Sequence, residues 1–446
     1  MLIADETPSP HAEGGPRPSS SPLPPALRAG QTVVLAAAGA VLTACAAYWA
    51  RSGDLTGRIA PHLLVYGIAF AAYLCALIAS GGLAGRRLLA ALLLAVAWRA
   101  ALVPSPPLLS EDVYRYLWEG RVQHNGANPY AWEDRAEAGK WAPLRDENWQ
   151  LMAHKRYTAV YPPLWQLAAR VVTAFGHSVF AMKAFLVACE IGCWAVLWAL
   201  LRRRGLPPSR LLVAAWSPLA LVEVAGSGHN DPFGILLLCL ALLWLDSGLP
   251  ALSAAAAGLG AAAKLLPGIV AVAWSRRYRP GHVLVAGGLA ALTALPYLTA
   301  GAGLVRGMSD YGSWRFNESL LALVDAAAPS RLAAQRAAGI LVLAFALWLG
   351  WRRCEPVRAG LLVVAAWLAL SAHVLPWYAL WLLPWLVLAD APAALLFTLT
   401  ASFAYLVYPG FQSGDGWQVP WAIRALEYLP PAGVAIWIRL SCRSSG

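Results

Sequence analysis

Long apolar segments separated by short loops recur along most of this 446-residue chain. About 20 apolar residues suffice for one helical crossing of a hydrocarbon core ~30 Å thick, and hydrophobic residues make up 59% of the chain against 13% charged residues. Candidate spans lie near residues 30–50, 61–80, 86–103, 176–201, 210–227, 231–246, 250–264, 266–275, 281–299, 336–351, 358–375, 376–390, 391–408 and 418–440. This pattern excludes a soluble protein and a single-pass anchor. It predicts an all-α polytopic membrane protein with a bundle of about 12–14 transmembrane helices.

The N-terminal segment has a different composition. Seven of the first 28 residues are prolines, mixed with serine, glycine and charged residues. Such a composition buries too little apolar surface to order a chain. We therefore expect residues 1–29 to form a disordered tail and residues 30–446 to form a single transmembrane domain. The apolar run after Gly30 is too long for the hydrophobic region of a signal peptide, so we expect it to be retained as the first span.

Arginines in the short loops indicate the orientation in the cell membrane. Arginine clusters fall on one side of the alternating spans, at Arg86–Arg87, Arg202–Arg204, Arg276–Arg277, Arg352–Arg353 and Arg439 with Arg443. The opposite loops, around 226–230 and 409–417, contain no lysine or arginine. Because these residues accumulate in cytoplasmic loops, both termini are predicted to be cytoplasmic. The same loops account for much of the net charge of +11, so we expect no nucleic-acid partner.

Two long polar stretches, 104–175 and 301–335, are then predicted on the non-cytoplasmic side. The first holds eight of the 23 acidic residues of the chain, eight lysines or arginines, and five of the 22 tryptophans. Its segments VYRYLWEGRVQ and YPPLWQLAARVVTAF place apolar residues at helical spacing. Helices of this kind lie in the membrane interface with Trp and Tyr at headgroup depth. We therefore expect interfacial helices in these outer loops.

Glu111 and Asp112 are the strongest candidates for chemistry. Two adjacent carboxylates just outside a span, with arginines near them, are suited to proton abstraction or cation binding. The alternative is structural: Ser110 followed by acids in a first turn is also what a helix start requires. The residue pattern leaves both readings open.

A second group of polar residues lies between two spans, where Glu223 is followed by the sequence GSGHNDP. Ionisable groups at a membrane edge are costly and therefore indicate function, which makes His229 and Asp231 candidate site residues. The alternative is an ordinary turn, since Gly, Asn, Asp and Pro are common turn formers. Two potential ligands without a defined third are weak evidence for a metal, so no metal site is predicted.

Lys264 and His373 are isolated polar residues in apolar surroundings. Lys264 is the one basic residue of the 250–275 hydrophobic pair and precedes the helix-breaking Pro267. It fits either an anionic ligand or a lysine that extends toward the interface. His373 precedes PWYALWLLPW, and the aromatic run beside it is typical of an interface belt. The predicted topology assigns both residues, like Asp112 and His229, to the non-cytoplasmic edge.

The chain also resembles a known family. The segments SEDVYRYLWEGRVQHNGANPY, YPPLWQ, GHNDPFG, KLLP, WRFNESL and HVLPWYALWLLPW are similar, in this order, to landmarks of bacterial GT-C glycosyltransferases. These integral-membrane enzymes, especially the mannosyltransferase-like members, use polyprenyl-phosphate sugar donors. The resemblance implies transfer of a hexose, with mannose favoured, to a glycolipid or glycan acceptor on the non-cytoplasmic face, with inversion.

The resemblance also implies roles for the candidate residues. Asp112 would be the general base and Glu111 would orient the acceptor or tune Asp112. The donor phosphate would be bound by Lys264, Arg115, Arg315 and His373, and the substrate pocket would be lined by His229, Asn230, Asp231 and Tyr161. No cofactor is expected.

Two other function classes remain open from the sequence. A polytopic chain with buried acids such as Glu190 and Glu223 could be a transporter or a flippase of lipid-linked sugars, and an inactive envelope-assembly scaffold would not need Glu111 and Asp112. No G-x-G-x-x-G fingerprint or Walker A sequence is found. That is consistent with a lipid-linked donor rather than a nucleotide sugar.

Overall fold

The computed structural model describes residues 25–131, 139–155, 157–413, 417 and 419–444. Within this part of the chain the regular structure is helical, and the one β-contact is an isolated bridge between Phe316 and His373. The all-α prediction is therefore confirmed.

The α-helices of the described residues range from three to 28 residues in length. In chain order they are α1 (Pro25–Ser52), α2 (Ile59–Ala79), α3 (Gly85–Leu102), α4 (Asp112–His124), α5 (Glu147–Leu151), α6 (Pro163–Phe175), α7 (Val179–Arg203), α8 (Leu212–Ala215), α9 (Pro218–Ala220), α10 (Asp231–Asp246), α11 (Pro250–Ala263), α12 (Leu266–Val272), α13 (Pro280–Ala294), α14 (Gly303–Ser313), α15 (Leu321–Ala327), α16 (Arg331–Trp351), α17 (Pro356–Leu370), α18 (Leu383–Leu388), α19 (Pro392–Thr400), α20 (Tyr408–Gln412) and α21 (Trp421–Ser444). A π-helical turn, Leu221–Gly226, follows α9. The helices expected from VYRYLWEGRVQ and YPPLWQLAARVVTAF are α4 and α6.

The long apolar helices make the protein a polytopic membrane protein. Among the described residues, six stretches are long and apolar enough to cross a membrane: Ala29–Ser52, Ile59–Ala79, Val179–Arg203, Pro280–Ala300, Arg331–Trp351 and Pro392–Gln412. A seventh is possible if Pro208–Ala215 and Pro218–Gly226, which meet at a bend of 44°, form one span. Fewer helices are long enough to cross the membrane alone than the 12–14 expected spans. Proline ends or kinks helices, and several apolar runs begin at a proline or are broken by one.

The 250–275 segment illustrates this difference. Helix α11 has 14 residues and α12 has seven, so they rise by only about 21 Å and 11 Å, less than a hydrocarbon core of ~30 Å. The two helices form a hairpin in which a Cβ on Gly260 would lie 2.7 Å from Pro267 Cβ. Lys264 is at the apex of this hairpin, between the two helices.

The predicted tail is only partly described. Helix α1 already begins at Pro25, so residues 25–29 are helical where disorder was expected. The rest of the predicted tail, residues 1–24, lies outside the described residues.

Arg203 and Arg204, from one of the arginine-rich loops, lie at the opposite end of α10 from Asp231. This helix begins at Asp231 and ends at Asp246, where the Arg204 guanidinium bonds the Asp246 carboxylate at 2.6 and 2.9 Å. Arg204 also pairs with Glu355, at the start of α17, at 2.9 Å. A helix of this length spans about 24 Å, which separates the arginine-rich end of the bundle from the Asp231 end.

A buried ion pair connects α3 to α7. The Arg99 guanidinium bonds both oxygens of the Glu190 carboxylate, at 2.8 and 2.5 Å, and also donates to the Ala215 carbonyl oxygen at 2.9 Å. Buried charges are retained only when they are paired and hydrogen-bonded. The ion pair with Arg99 therefore explains the buried Glu190, which was one of the acids considered for transport.

A close contact between two helices depends on Gly258, where α11 packs on α13. A Cβ at this position would lie 2.8 Å from the carbonyl carbon of Ala286 and closer still to its oxygen. We expect Gly258→Ala to lower the free energy of unfolding by about 1–3 kcal/mol, because the backbone of α13 would have to move.

The matched control for this variant is Gly288→Ala in α13, where an added Cβ meets open space. Replacing a helical glycine by alanine there should be neutral or stabilising by roughly 0.5–1 kcal/mol. Thermal unfolding of both variants in the same detergent tests the pair, and equal midpoints would contradict the close contact.

Candidate active site

Helix α4 begins at Asp112 and places its carboxylate away from the helix backbone. The Asp112 N–H donates to Ser110 Oγ at 3.2 Å, and the Glu111 side chain makes no capping hydrogen bond. The Asp112 carboxylate instead accepts hydrogen bonds at Oδ2, from the Tyr161 hydroxyl at 3.2 Å and from the Tyr116 hydroxyl at 3.5 Å. The capping alternative therefore explains Ser110 but not Asp112.

His229 lies between two carboxylates. Its Nδ1 is 3.7 Å from Asp112 Oδ2, and its Nε2 is 3.4 Å from Glu223 Oε2. The imidazole is 1% exposed, whereas the Asp112 side chain is 35% exposed. The ring stacks on Trp377 with a centroid separation of 3.9 Å. Asp112 is therefore the accessible end of a chain of charges that continues into the protein.

Two glycines allow the turn that carries His229 to approach the head of α4. A Cβ on Gly226 would lie 2.6 Å from Leu108 Cδ1, and one on Gly228 would lie 3.4 Å from Val113 Cβ. Gly228 also has a φ of +81°, in the left-handed region that L side chains disfavour. Glu223 is placed by the π-helical turn Leu221–Gly226, a local widening often found at functional sites.

The charges around Asp112 favour its ionised form. Burial opposes ionisation, but the interaction with His229, followed by the charges of Lys264 and Arg115, outweighs it and lowers the pKa of Asp112 from its ordinary value. Burial likewise opposes the charge on His229, and the Asp112 and Glu223 carboxylates outweigh it and raise the pKa of His229 to about 9. The pair is therefore a carboxylate and an imidazolium at neutral pH.

The pKa of Glu111 is shifted in the opposite direction to that of Asp112. Burial, followed by the charge of Asp54, raises the pKa of the Glu111 carboxyl above its ordinary value. Two adjacent carboxyls whose pKa values are moved apart can take different parts in proton transfer. The environment favours Asp112 as the ionised member.

Lys264 pairs with Asp231. Its Nζ is 2.8 Å from Asp231 Oδ1, which also accepts a 2.6 Å hydrogen bond from the indole N–H of Trp381. The Asp231 side chain is fully buried and that of Lys264 is 15% exposed. The ammonium lies 5.6 Å from the centroid of the Tyr161 ring. A lysine that is bound to a buried carboxylate does not extend to the membrane interface, and its role in binding an anionic ligand stays a prediction.

A cavity of about 480 Å³ opens at Asp112. Its aromatic lining residues are Tyr157, Tyr161, Tyr311, Trp314, Phe316, Trp377, Tyr408, Phe411 and Trp417, and its polar ones include Thr56, Ser110, Glu111, Asp112, Arg115, His154 and Gln412. A largely apolar and aromatic wall with a few polar groups is typical of small-molecule sites of this size.

Among the described residues, the cavity lining includes Glu111, Arg115 and Tyr161 of the other predicted site residues, but not Lys264, His229, Asn230, Asp231, Arg315 or His373. Arg115 lines it, but its guanidinium pairs with Glu119 at 3.2 Å and donates to the carbonyl oxygens of Ala153 and His154 at 2.8 and 2.6 Å. Arg115 thus holds the backbone at Ala153, His154 and Tyr157 and also adds positive charge.

Arg315, His373 and Asn230 have different surroundings. Arg315 pairs with Glu318 at 2.9 Å and Asp325 at 2.8 Å, and the cavity lining does not include it among the described residues. The His373 ring stacks on that of Tyr311, which lines the cavity, at 4.5 Å. The Asn230 side chain is buried next to His229, and within the described residues its amide makes no hydrogen bond. Their roles in binding stay predictions.

The family described as alpha-(1->6)-mannopyranosyltransferase, N-terminal domain, matches residues 26–276, more than half of the chain. The chain belongs to this mannosyltransferase family. The match confirms the resemblance to GT-C-type membrane mannosyltransferases.

Two relatives carry the same name, alpha-(1->6)-mannopyranosyltransferase A. The protein from Mycobacterium tuberculosis is 28% identical over 339 residues, which cover 64% of this chain and 62% of that protein. The protein from Corynebacterium glutamicum is 24% identical over 149 residues, which cover 32% of this chain and 29% of that protein. The chain thus spans less than two thirds of the length of these relatives. No solved structure matches it significantly.

Most residues of the candidate site lie in the part of the chain that matches the mannosyltransferase family. Asp112, Glu223, His229, Asp231 and Lys264 all lie within residues 26–276. The aromatic side chains that complete the cavity, such as Tyr311 and Trp377, come from the remainder of the chain. Sequence reasoning did not include Glu223 and Tyr405 among the site residues. The sequence analysis singled out Glu223 as an acid at the second polar group without assigning it to the site, and no sequence signal marks Tyr405.

Metal binding was not predicted from the sequence. Among the described residues, no group of three or more His, Cys, Asp or Glu side chains is placed so that it could hold a metal ion.

Proposed function

We propose that this protein transfers a mannosyl residue from a polyprenyl-phosphate donor to a glycolipid or glycan acceptor on the non-cytoplasmic face of the membrane. One observation carries the proposal: the Asp112 carboxylate, favoured in its ionised form, opens on an aromatic cavity with the Lys264 ammonium close behind the cavity wall. Family membership supports mannosyl transfer as the reaction.

The reaction is a single displacement. Asp112 takes the proton of an acceptor hydroxyl, whose oxygen forms a bond to the anomeric carbon of mannose. The bond between that carbon and the phosphate oxygen breaks at the same time, and its electron pair passes to the lipid phosphate. A positioned base contributes on the order of 10² to 10⁴ in rate. Such a displacement inverts the anomeric centre, so an alpha-linked product, as in the family description, requires a beta-linked donor.

Lys264 stabilises the leaving phosphate. Negative charge develops on the phosphate oxygen as the bond to the sugar breaks, and preorganised cations at such a position are often the largest contribution to catalysis. Asp231 and Trp381 hold the lysine in place. The lysine is the partly exposed member of its ion pair, which leaves N–H donors available to the phosphate.

The charge distribution supports the non-cytoplasmic placement. The arginine-rich end of the bundle, marked by Arg204 with Asp246, is separated from Asp231 by the length of α10. By the positive-inside rule, the arginine-rich end faces the cytoplasm together with both termini. The active site then faces the other side.

Purified protein in liposomes tests the proposal. Incubation with a polyprenyl-phosphate mannose and a mannose-terminated glycolipid should give a glycolipid heavier by one hexose, with an alpha linkage seen by NMR. A nucleotide-activated mannose offered without lipid donor should give no product. Product from the nucleotide sugar alone would contradict the donor assignment. Movement of the lipid-linked sugar across sealed vesicles without a new glycosidic bond would indicate a flippase instead.

A further inference from the structure

The Asp112 carboxylate is held asymmetrically. Its side-chain contacts within the described part of the chain, from Tyr161, Tyr116 and His229, all reach Oδ2. The other oxygen, Oδ1, has none of these contacts, although the side chain is 35% exposed at the cavity. A carboxylate with one oxygen bonded on the protein side presents the other to a ligand.

We propose that Oδ1 of Asp112 is the atom that receives the acceptor proton, and that His229 and Glu223 form a buried positioning pair that orients Asp112 through Oδ2. The inference rests on the proposed function and deepens it. Neither member of the pair touches the substrate, and both act through Asp112.

Hydrogen bonds and ring stacking hold the two members of the pair. The Tyr405 hydroxyl bonds both oxygens of the Glu223 carboxylate, at 2.9 and 3.0 Å. The His229 ring stacks on Trp377 with an angle of 18° between the planes. The glycines at 226 and 228 bring the intervening turn against Leu108 and Val113, which flank Asp112 in sequence. Buried supporting contacts of this kind fix the rotamer of a group that must act with a precise geometry.

Two carboxylates around one imidazolium suit the proposed step. Before the proton transfer, the His229 charge is compensated by Asp112 and Glu223. When Oδ1 takes the acceptor proton, Asp112 becomes neutral and Glu223 still compensates the imidazolium. A buried charge is therefore never left alone, which would be costly in a medium of low dielectric constant.

Other ionisable groups also face the pair and Asp112. Asp112 is faced by Glu111, Arg115, Glu119, Lys264, Tyr116 and Tyr161. Glu223 is faced by the phenols of Tyr66, Tyr405 and Tyr408. All of these groups are unchanged in the variants below, so a change in pH dependence reports on His229 and Glu223.

The test is the pH profile of kcat/KM for mannosyl transfer. In His229→Gln, loss of the cation that favours ionised Asp112 should move the acid limb to higher pH by about 1–3 units. In Glu223→Gln, loss of a carboxylate that favours the imidazolium should move the basic limb to lower pH, from its position near pH 9. Glutamine at 223 keeps a carbonyl oxygen for the Tyr405 hydroxyl, so this variant gives an answer even if His229→Gln does not fold.

His62→Gln is the matched control. His62 is another fully buried histidine, 6.1 Å from the Tyr405 ring, and within the described residues neither of its ring nitrogens has a hydrogen-bond partner. Both limbs should stay in place in this variant. Wild-type limbs in both His229→Gln and Glu223→Gln, together with an inactive Asp112→Asn, would overturn the positioning pair alone. An active Asp112→Asn would overturn the proposed base itself.

Discussion

Asp112→Asn is expected to lower the rate of mannosyl transfer by a factor on the order of 10² to 10⁴, because asparagine cannot accept the acceptor proton. The side chain keeps its size and an oxygen for the Tyr161 and Tyr116 hydroxyls, so the folded protein should be retained. Initial rates at saturating donor, normalised to folded protein, measure the effect.

Glu111→Gln provides the comparison at the adjacent carboxylate. Burial raises the pKa of Glu111, and its charge is therefore less available than that of Asp112. We expect a smaller loss of rate, within about tenfold, because orientation and not proton transfer is affected. A larger loss of rate for Glu111→Gln than for Asp112→Asn would make Glu111 the general base in place of Asp112.

Lys264→Ala is expected to have two large effects. Removal of the lysine leaves the fully buried Asp231 without its cation, and breaking a buried pair in this way lowers the free energy of unfolding by about 3–5 kcal/mol. It also removes the charge proposed to stabilise the leaving phosphate, for which we expect a loss of turnover on the order of 10² to 10³. Thermal unfolding and donor-dependent rates measure the two effects separately.

The double variant Lys264→Ala with Asp231→Asn separates structure from catalysis. Neutralising residue 231 removes the unpaired charge while the amide oxygen can still accept from the Trp381 indole, so most of the lost stability should return. Mannosyl transfer should remain low because the cation is still missing. Recovery of both stability and turnover would show that the lysine acts only as a counter-ion for Asp231.

Much of the site follows from charge and topology in the sequence. Arginine placement predicted that Asp112, His229 and Lys264 share one face of the membrane, and the structure brings them together around the cavity wall. Ionisable residues are rare in apolar segments, so each one that is present indicates a functional or structural role. This is why so few charges sufficed to indicate the site.

The parts that the sequence did not predict depend on contacts between distant segments. Glu223 and Tyr405 are 182 positions apart and meet only in the folded chain. The family resemblance implied a donor-binding role for Arg315, but its pairing with Asp325 cannot be read from spacing alone. The lengths of α11 and α12 could not be read from the sequence either, because apolar composition counts each half of a proline-broken hairpin as a separate crossing.

On the proposed orientation, the hairpin of α11 and α12 would set the depth in the membrane at which the chemistry takes place. On the proposed orientation, α11 rises about 21 Å from the cytoplasmic boundary, and Lys264 at its apex stops short of the far side of a ~30 Å hydrocarbon layer. A lipid-borne phosphate would then descend slightly below its resting headgroup level to meet the ammonium. The acceptor hydroxyl would have to reach the donor sugar from the aqueous side. Fewer water molecules would then surround the reacting sugar before the glycosidic bond forms.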